Sequence, residues 1–140
     1  MSIHNITLRA KASATESEER VKTALSIFLF DGEIEIINTE GHFGNPITIF
    51  LVRIKGKNCS RFIEYLKAKL PEQELDRLRK ELDERMDDDC SFHIRFDKQA
   101  AYKGIVQLAT TTDTIAADIK IKAYPAKRKK AIEVAEKIFN

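Results

Sequence analysis

The stretch from residue 115 to residue 124 alternates between apolar and polar side chains, and this pattern constrains the fold more than any other feature of the chain. One side carries Ile115, Ala117, Ile119, Ile121 and Ala123, and the other carries Asp118, Lys120, Lys122 and Tyr124. Successive side chains of a β-strand point to opposite faces, so this stretch predicts a strand with one face on a core and one in solvent. "ITLRAKA" near the start and "CSFHIRF" in the second half follow the same rule.

The remaining patterns add strands and helices in a mixed order. "EIEII" and "ITIFLVRI" read as strands, and the second is predicted to be central because it is apolar on both faces. "IVQLAT" reads as a further strand. This mixed order predicts an α+β fold, with a mostly antiparallel sheet and helices packed on one face.

Four helical regions have recognisable starts. Thr15 followed by Glu18 is a capping box, which predicts a helix that carries Val21, Ala24, Leu25, Phe28 and Leu29. Ser60 is predicted to cap "RFIEYLKAKL". Pro71 is predicted to open a long acidic helix that carries Leu75, Leu78, Leu82 and Met86 and ends at "DDD". Pro125 is predicted to end the last strand and open the final helix.

Length, composition and charge set the broad class. A chain of 140 residues that is 43% hydrophobic suits a single domain spanning 1–140. No run approaches the roughly 18 apolar residues of a membrane span, and the start lacks a signal-peptide core, so we expect a cytoplasmic protein without membrane contact. Bases minus acids give 10 − 8 = +2 for residues 1–70, 4 − 9 = −5 for 71–89 and 10 − 5 = +5 for 90–140. A local positive field of this kind can steer a polyanion.

Catalytic and metal motifs are absent from the sequence. Cys59, Cys90, His42 and His93 stand singly in different segments, without the short fixed spacing of zinc ligands, so both cysteines are interpreted as packing residues and no disulfide is expected. The aspartates of "DDD" fit a solvated turn. No nucleophile elbow, Walker loop or dinucleotide fingerprint is present. We therefore predict no catalytic residues, no metal and no cofactor.

The segment "TEGHFGNP" predicts a tight loop between two strands. Glycine permits positive φ, so Gly41 or Gly44 is expected to adopt it, and Pro46 restricts the preceding Asn45 to extended geometry. The favoured interpretation is a shaped loop whose Phe43 packs into the core. The alternative is that His42 or Phe43 contacts a ligand, since an exposed ring on a rigid backbone can stack on a base.

Four segments together resemble one family. "IHNITLRAKASATESEERV", "TEGHFGNPI", "FHIRFDKQAAYKG" and "IKIKAYP" are similar to the small archaeal family described as a predicted RNA-binding exosome subunit, over residues 3–125 and in the family's order. The resemblance implies an α+β fold like that of a ribosomal protein that binds ribosomal RNA, an archaeal cytosol and a role in RNA processing. It implies exosome subunits as partners, and it brings no established functional residues.

If the strands turn their apolar sides toward the helices, a set of cationic and aromatic side chains emerges on the opposite face. Phosphate contacts give affinity without sequence preference, and a tyrosine can stack on an unpaired base. The predicted RNA-binding residues are Arg9, Lys11, His42, Phe43, Arg95, Lys98, Tyr102, Lys103, Lys120, Lys122, Tyr124, Lys127 and Arg128. Asp97 either pairs with Arg95 or caps the turn that follows.

Two other classes of function remain open on the sequence. In an interaction module, an exposed sheet edge and the acidic helix over residues 72–89 dock on a basic partner or on a second copy of the chain, and the lysines only keep the protein in solution. In an enzyme, Asp97 and Lys98 form an acid/base pair. Adjacent strand residues point to opposite faces, which argues against that pair.

Overall fold

The computed structural model describes residues 2–13, 16–41 and 43–140. The strands of this described part are β1 (Ile3–Ser13), β2 (Ile34–Glu40), β3 (Pro46–Lys55), β4 (Ser91–Asp97) and β5 (Thr114–Ile121). Its helices are α1 (Glu18–Ser26), α2 (Asn58–Lys69), α3 (Glu72–Lys80), α4 (Leu82–Arg85), α5 (Lys98–Tyr102) and α6 (Arg128–Ile138). The α+β class predicted from the sequence is confirmed.

The strands form one antiparallel sheet in the order β2-β3-β1-β5-β4. The prediction that "ITIFLVRI" is an interior strand is confirmed, because β3 pairs with β1 on one side and with the edge strand β2 on the other, although the middle strand of the five is β1. Strand β1 is central, and its Arg9 faces Leu51 of β3 on one side and Ala116 of β5 on the other. Strand β3 looks apolar on both faces because Ile47 and Ile49 remain half-buried on the side without helices.

The helices cover one face of the sheet, as the alternating strands predicted. The side chains on that face are buried, and the largest of them meet aromatic rings from the helical layer. Phe28, just after α1, stacks on Phe96 of β4 at 4.8 Å between ring centroids, and Phe92 contacts Phe139 after α6 at 5.2 Å. All four rings are fully buried. Burial of such side chains from water is the main force that holds helices on a sheet.

Several helix starts differ from the predictions by a few residues. Helix α1 begins at Glu18, where Ser17 is the cap and its Oγ accepts a hydrogen bond from the Arg20 N–H at 3.4 Å; Thr15 lies outside the described residues. Helix α2 begins before Ser60, at Asn58, and Pro71 directly precedes α3. The final helix begins at Arg128, three residues after Pro125. Several neighbouring residues can initiate a helix locally, so tertiary packing decides among them.

The acidic helix predicted over residues 72–89 is two short helices and a turn. Helix α3 ends at Lys80 and α4 at Arg85, after which Met86 bridges to Phe92. The Asp87 carboxylate then accepts backbone hydrogen bonds from Asp89 and Ser91, each at 2.9 Å. Aspartate side chains that bind nearby backbone N–H groups compete with helical bonding, so the chain turns back onto the sheet.

Two further strand predictions need correction. "IVQLAT" forms no strand; it makes one bridge, from Leu108 to Phe96, and lies along the outer edge of β4. The N–H of Asp97 donates to the carbonyl of Gln107 and that of Ala109 to the carbonyl of Arg95, both at 2.9 Å. Strand β5 ends at Ile121, so Lys122 and Tyr124 lie beyond it. The β4 edge is therefore covered.

The β2 edge is open. No backbone hydrogen bond reaches its outer side within the described residues, and six of its seven residues are exposed.

In the loop that joins β2 to β3, Gly44 has φ +77°, which confirms that one of its glycines adopts positive φ. Phe43 was predicted to pack into the core and is 90% exposed instead; His42 lies outside the described residues. No helix in the described part of the chain is long and apolar enough to span a membrane.

Candidate nucleic-acid interface

The face of the sheet without helices carries a row of cationic side chains at its middle. Arg9 of β1 and Arg95 of β4 both lie opposite Ala116 of β5, so the two arginines flank the small side chain between them. Lys11 follows two residues after Arg9 on the same face. The row exists because β5 carries alanine at the position where its neighbours carry arginine.

These side chains surround a depression of about 440 Å³, which we call the arginine depression. Its lining residues are Arg9, Lys11, Ile49, Arg95, Lys98, Thr112, Asp113, Thr114 and Ala116. Arg9, Lys11 and Arg95 are exposed, and their side chains have no ion pair or hydrogen bond within the described residues. Three unpaired positive charges around a hollow attract an anion with several negative oxygens.

Lys98 lies against this depression but is buried, which corrects its predicted place at an exposed corner. Its Nζ lies 2.6 Å from a carboxylate oxygen of Glu16 and 2.6 Å from one of Asp113, and it donates to the Lys11 carbonyl at 2.9 Å. Only 4% of the residue is exposed. The ammonium has three donors and all are used, so Lys98 has none left for a ligand.

Asp97 explains the placement of Lys98. Its carboxylate caps α5 and accepts a hydrogen bond from the Ala100 N–H at 2.8 Å. The capping alternative weighed for Asp97 is thereby confirmed. Lys98 is the first residue of that helix and turns inward from it. Burial alone would raise the pKa of Asp113, but hydrogen bonds from Lys98 and Gln99 and the lysine charge outweigh it and lower that pKa.

His93 occupies the open face beside Arg95 but already has two partners. Nδ1 lies 2.6 Å from Asp118 and Nε2 lies 2.7 Å from Asp87. Burial alone would lower the pKa of His93, whereas hydrogen bonds to the two carboxylates and their charges raise it. This cluster carries more negative than positive charge, so it ends the cationic row on that side.

The other predicted residues lie at the two ends of the sheet. Tyr102 and Lys103 are at the end near Lys11, where Arg20 of α1 lies over the Tyr102 ring at 4.5 Å from its centroid. Lys120, Lys122, Tyr124, Lys127 and Arg128 are at the opposite end. Lys11 and Asn5, the residue opposite Lys120, are six positions apart on β1, so about 20 Å separates the ends.

The distant group is partly engaged within the protein. Lys120 donates to the Asp89 carbonyl, and Arg128 binds the Met86 carbonyl at 3.1 Å and the Asp83 carboxylate at 3.0 Å. Lys122, Lys127 and Tyr124 are exposed, and 94% of Tyr124 is accessible. The sequence grouped all of these side chains on one surface, whereas the structure separates them into two groups.

Sequence reasoning missed Arg20 and the uncharged residues that line the arginine depression. Arg20 sits in the exposed part of an ordinary charged helix, and no local signal distinguishes it from Glu18 or Glu19. Ala116 and Thr114 became relevant only once the pairing of β5 with β1 and β4 was known. Both cysteines are buried and free, in line with their interpretation as packing residues. Among the described residues no cluster of three or more His, Cys, Asp or Glu is arranged to hold a metal.

Comparison with known proteins places this chain among its relatives. A family model described as RNA binding matches residues 5–122. The chain belongs to this RNA-binding family. The RNA-binding protein PAB1135 of Pyrococcus abyssi is 39% identical over 138 residues, which cover 93% of this chain and 89% of that protein.

Solved structures of other members share the fold. Protein AF2318 of Archaeglobus fulgidus, described as a DUF54 protein, is 34% identical with a TM-score of 0.88, covering 97% of this chain and 99% of that one. Mth689 of Methanothermobacter thermautotrophicus, also a DUF54 protein, is 33% identical with a TM-score of 0.83 over the full length of both chains. The archaeal RNA-binding part of the sequence resemblance is confirmed. None of these descriptions mentions an exosome, so that part stays a prediction.

Proposed function

We propose that this member of the RNA-binding family binds RNA on the open face of its sheet, with backbone phosphates held in the arginine depression. The observation that carries the proposal is the row of Arg9, Lys11 and Arg95 around Ala116, exposed and without partners in the described structure. Guanidinium groups bind phosphate oxygens with paired hydrogen bonds, and the lysine adds a point charge. A small side chain between the two arginines leaves room for a phosphate to approach.

The contacts proposed here carry no base preference. Phosphate contacts release counterions from the nucleic acid, so affinity falls with salt in proportion to the number of contacts. Each contact to single-stranded RNA contributes about 0.7 to the slope of log K against log salt. Salt dependence therefore counts the contacts that the depression makes.

The test replaces both arginines with glutamine, in the double variant Arg9→Gln and Arg95→Gln. We expect the slope for a single-stranded RNA to flatten by about 1.4, since two contacts are lost. Fluorescence anisotropy across a range of salt concentrations measures it. Both positions are exposed on strands, so stability should change by no more than about 0.5 kcal/mol per site.

The matched control is the double variant Lys69→Gln and Lys80→Gln. These lysines end α2 and α3, are exposed and lack partners in the described residues, so the variant loses the same two charges from the helical side. At physiological salt the Debye length is about 8 Å, so charges this remote should leave the slope nearly unchanged. Equal flattening by both variants would show that only net charge matters.

We also propose that the protein acts as a binding protein and not as an enzyme. The acid/base pair considered for the sequence was Asp97 with Lys98, and both groups have structural partners: Asp97 caps α5, and Lys98 is enclosed by carboxylates. RNA that is recovered intact after prolonged incubation with the protein and Mg²⁺ would agree with this proposal. Defined cleavage products that disappear with a Lys98 variant would contradict it.

The sequence resemblance supports two finer proposals, association with exosome subunits and action in the cytoplasm. Affinity purification of the protein from its native cells, with and without ribonuclease, tests the association. Exosome subunits that remain after ribonuclease treatment would indicate direct protein contact, and subunits lost on treatment would indicate a shared RNA. If no exosome subunit is recovered even without ribonuclease, the association is contradicted.

A second candidate function is pairing with another copy of the chain, and the open β2 edge favours it. Ile36 and Ile37 of that strand are 48% and 44% exposed, and an unpaired strand edge is a template for another strand. Sedimentation at low and high salt separates this candidate from RNA binding. A dimer held by strand pairing and apolar contact should persist at high salt, whereas phosphate contacts should not.

A further inference from the structure

A second depression lies between α1 and α5, at the end of the sheet near Lys11. It has a volume of about 350 Å³ and is lined by Glu16, Ser17, Arg20, Val21, Lys98, Gln99 and Tyr102. We call it the tyrosine depression. Lys98 lines both depressions, so they are neighbours with one buried side chain between them.

The tyrosine depression offers flat surfaces suited to a π-system. The Arg20 guanidinium lies over the Tyr102 ring at 4.5 Å from its centroid, and 37% of Tyr102 is exposed. No ion pair holds this guanidinium within the described residues. Aromatic rings and arginine planes are the surfaces on which proteins stack unpaired bases.

The two depressions differ in charge. In each depression Lys98 is paired with a carboxylate, which is Asp113 in the arginine depression and Glu16 in the tyrosine depression. Among the other lining residues, the arginine depression has three cations and the tyrosine depression has one, Arg20. The Ser17 Oγ caps α1 and the Gln99 Nε2 donates to Asp113 at 3.1 Å, which leaves the Ser17 hydroxyl hydrogen as a donor and the Gln99 amide oxygen as an acceptor. The first environment suits a phosphate, and the second suits a neutral, flat, polar-edged group.

We propose that the tyrosine depression binds an unpaired nucleobase of the same RNA whose phosphates occupy the arginine depression. The protein therefore selects single-stranded RNA, because the bases of an A-form duplex are stacked and paired and cannot enter a side pocket. This inference rests on the proposed function, since the phosphate contacts bring the strand to the end of the sheet. It adds a substrate class that phosphate contacts alone do not specify.

The test begins with three ligands of equal length and the unaltered protein: a single-stranded RNA, a blunt RNA duplex and a strand in which abasic residues replace the nucleotides. All are measured by fluorescence anisotropy at one salt concentration. Stacking of one base is worth roughly a five- to 150-fold change in affinity, so the single strand should bind at least about fivefold more tightly than the abasic strand. It should also bind more tightly than the duplex.

Variants then locate the base. Tyr102→Leu should reduce affinity for the single strand by about fivefold or more and leave affinity for the abasic strand unchanged, whereas Tyr102→Phe should retain binding because the ring remains. The control is Ile105→Ala, which removes exposed apolar surface just after α5 at a position that carries no ring and belongs to neither depression. Thermal unfolding checks that each variant is folded, and the abasic comparison holds even if one variant is not.

The outcomes separate this inference from the function on which it rests. Failure of the unaltered protein to bind any of the three ligands at low salt would contradict RNA binding on the sheet. Binding in which the abasic strand or the duplex equals the single strand would overturn the base pocket and leave phosphate binding in place. Equal losses for Tyr102→Leu and Ile105→Ala on the single strand would also overturn it.

Discussion

Lys98 is a buried cation that joins three parts of the chain, and its removal should have a measurable cost. The Lys98→Met variant keeps an unbranched side chain of similar length but lacks the ammonium. Removing one partner of a fully buried ion pair costs about 3–5 kcal/mol, because a charge stays behind without compensation. Here the partner side chains, Glu16 and Asp113, are 27% and 46% exposed, so water can reach both carboxylates and the cost should be lower.

A further loss comes from the Lys11 carbonyl, which accepts a hydrogen bond from the ammonium at 2.9 Å. Hydrogen bonds to charged groups contribute about 1.5–3 kcal/mol. Together with the partial rehydration of the carboxylates, this leads us to expect a loss of about 2–3 kcal/mol in the free energy of unfolding at pH 7. Urea denaturation followed by circular dichroism measures it.

The cost should depend on pH with a definite sign. The folded protein lowers the pKa of Asp113, so this group contributes stability that is present above its unfolded pKa, about 3.9, and is lost as pH falls through the folded pKa. The variant lacks the ammonium that holds the pKa down. The difference between the two proteins should therefore be largest near neutral pH and shrink toward pH 3.

The control for this prediction is Lys103→Met, the same chemical change at an exposed position just after α5 that has no side-chain partner in the described residues. It should stay within about 0.5 kcal/mol of the unaltered protein. The reasoning would be refuted if Lys98→Met cost no more than this control, or if its cost were the same at pH 7 and pH 3.

Two other predictions concern groups that titrate. The folded protein raises the pKa of His93, so the stability that this group contributes is full below its unfolded pKa of about 6.5 and is lost as pH rises through the folded pKa. In urea denaturation, His93→Gln should therefore lose more free energy of unfolding at pH 6 than at pH 9, and a loss that grows with pH would contradict this. Burial raises the pKa of the Cys59 thiol against a smaller opposing effect of Lys122. Because both cysteines are buried, Cys59 and Cys90 should resist a thiol reagent in the native protein and react in denaturant without prior reduction, and elemental analysis should find no stoichiometric zinc. Thiols recovered only after reduction, or one zinc per chain, would refute this.

The strands with clear alternation could be predicted from the sequence, whereas segments with weak patterns could not. In β1 and β5, local alternation and tertiary burial agree, so both strands formed, although β5 ends at Ile121, before Lys122 and Tyr124. "IVQLAT" has equally suitable strand residues, but within the described residues it pairs with β4 through a single bridge, from Leu108 to Phe96, and forms no strand of its own. The acidic segment carries apolar residues at helical spacing, yet Asp87 accepts backbone hydrogen bonds that end the helix. Such competition between a side chain and the helix is not visible in hydrophobic periodicity.

By itself, the sequence determined that one face of the sheet is apolar and that Arg9, Lys11 and Arg95 emerge on the other, because a period of two assigns each side chain to a face. Only the tertiary structure decided which of the predicted cations remain available to a ligand. Strand order and register put Arg9 and Arg95 on either side of Ala116, and they depend on contacts between residues far apart in the chain. The same long-range packing buried Lys98 between two carboxylates and gave the half-exposed His93 two carboxylate partners, so both side chains are already engaged within the protein.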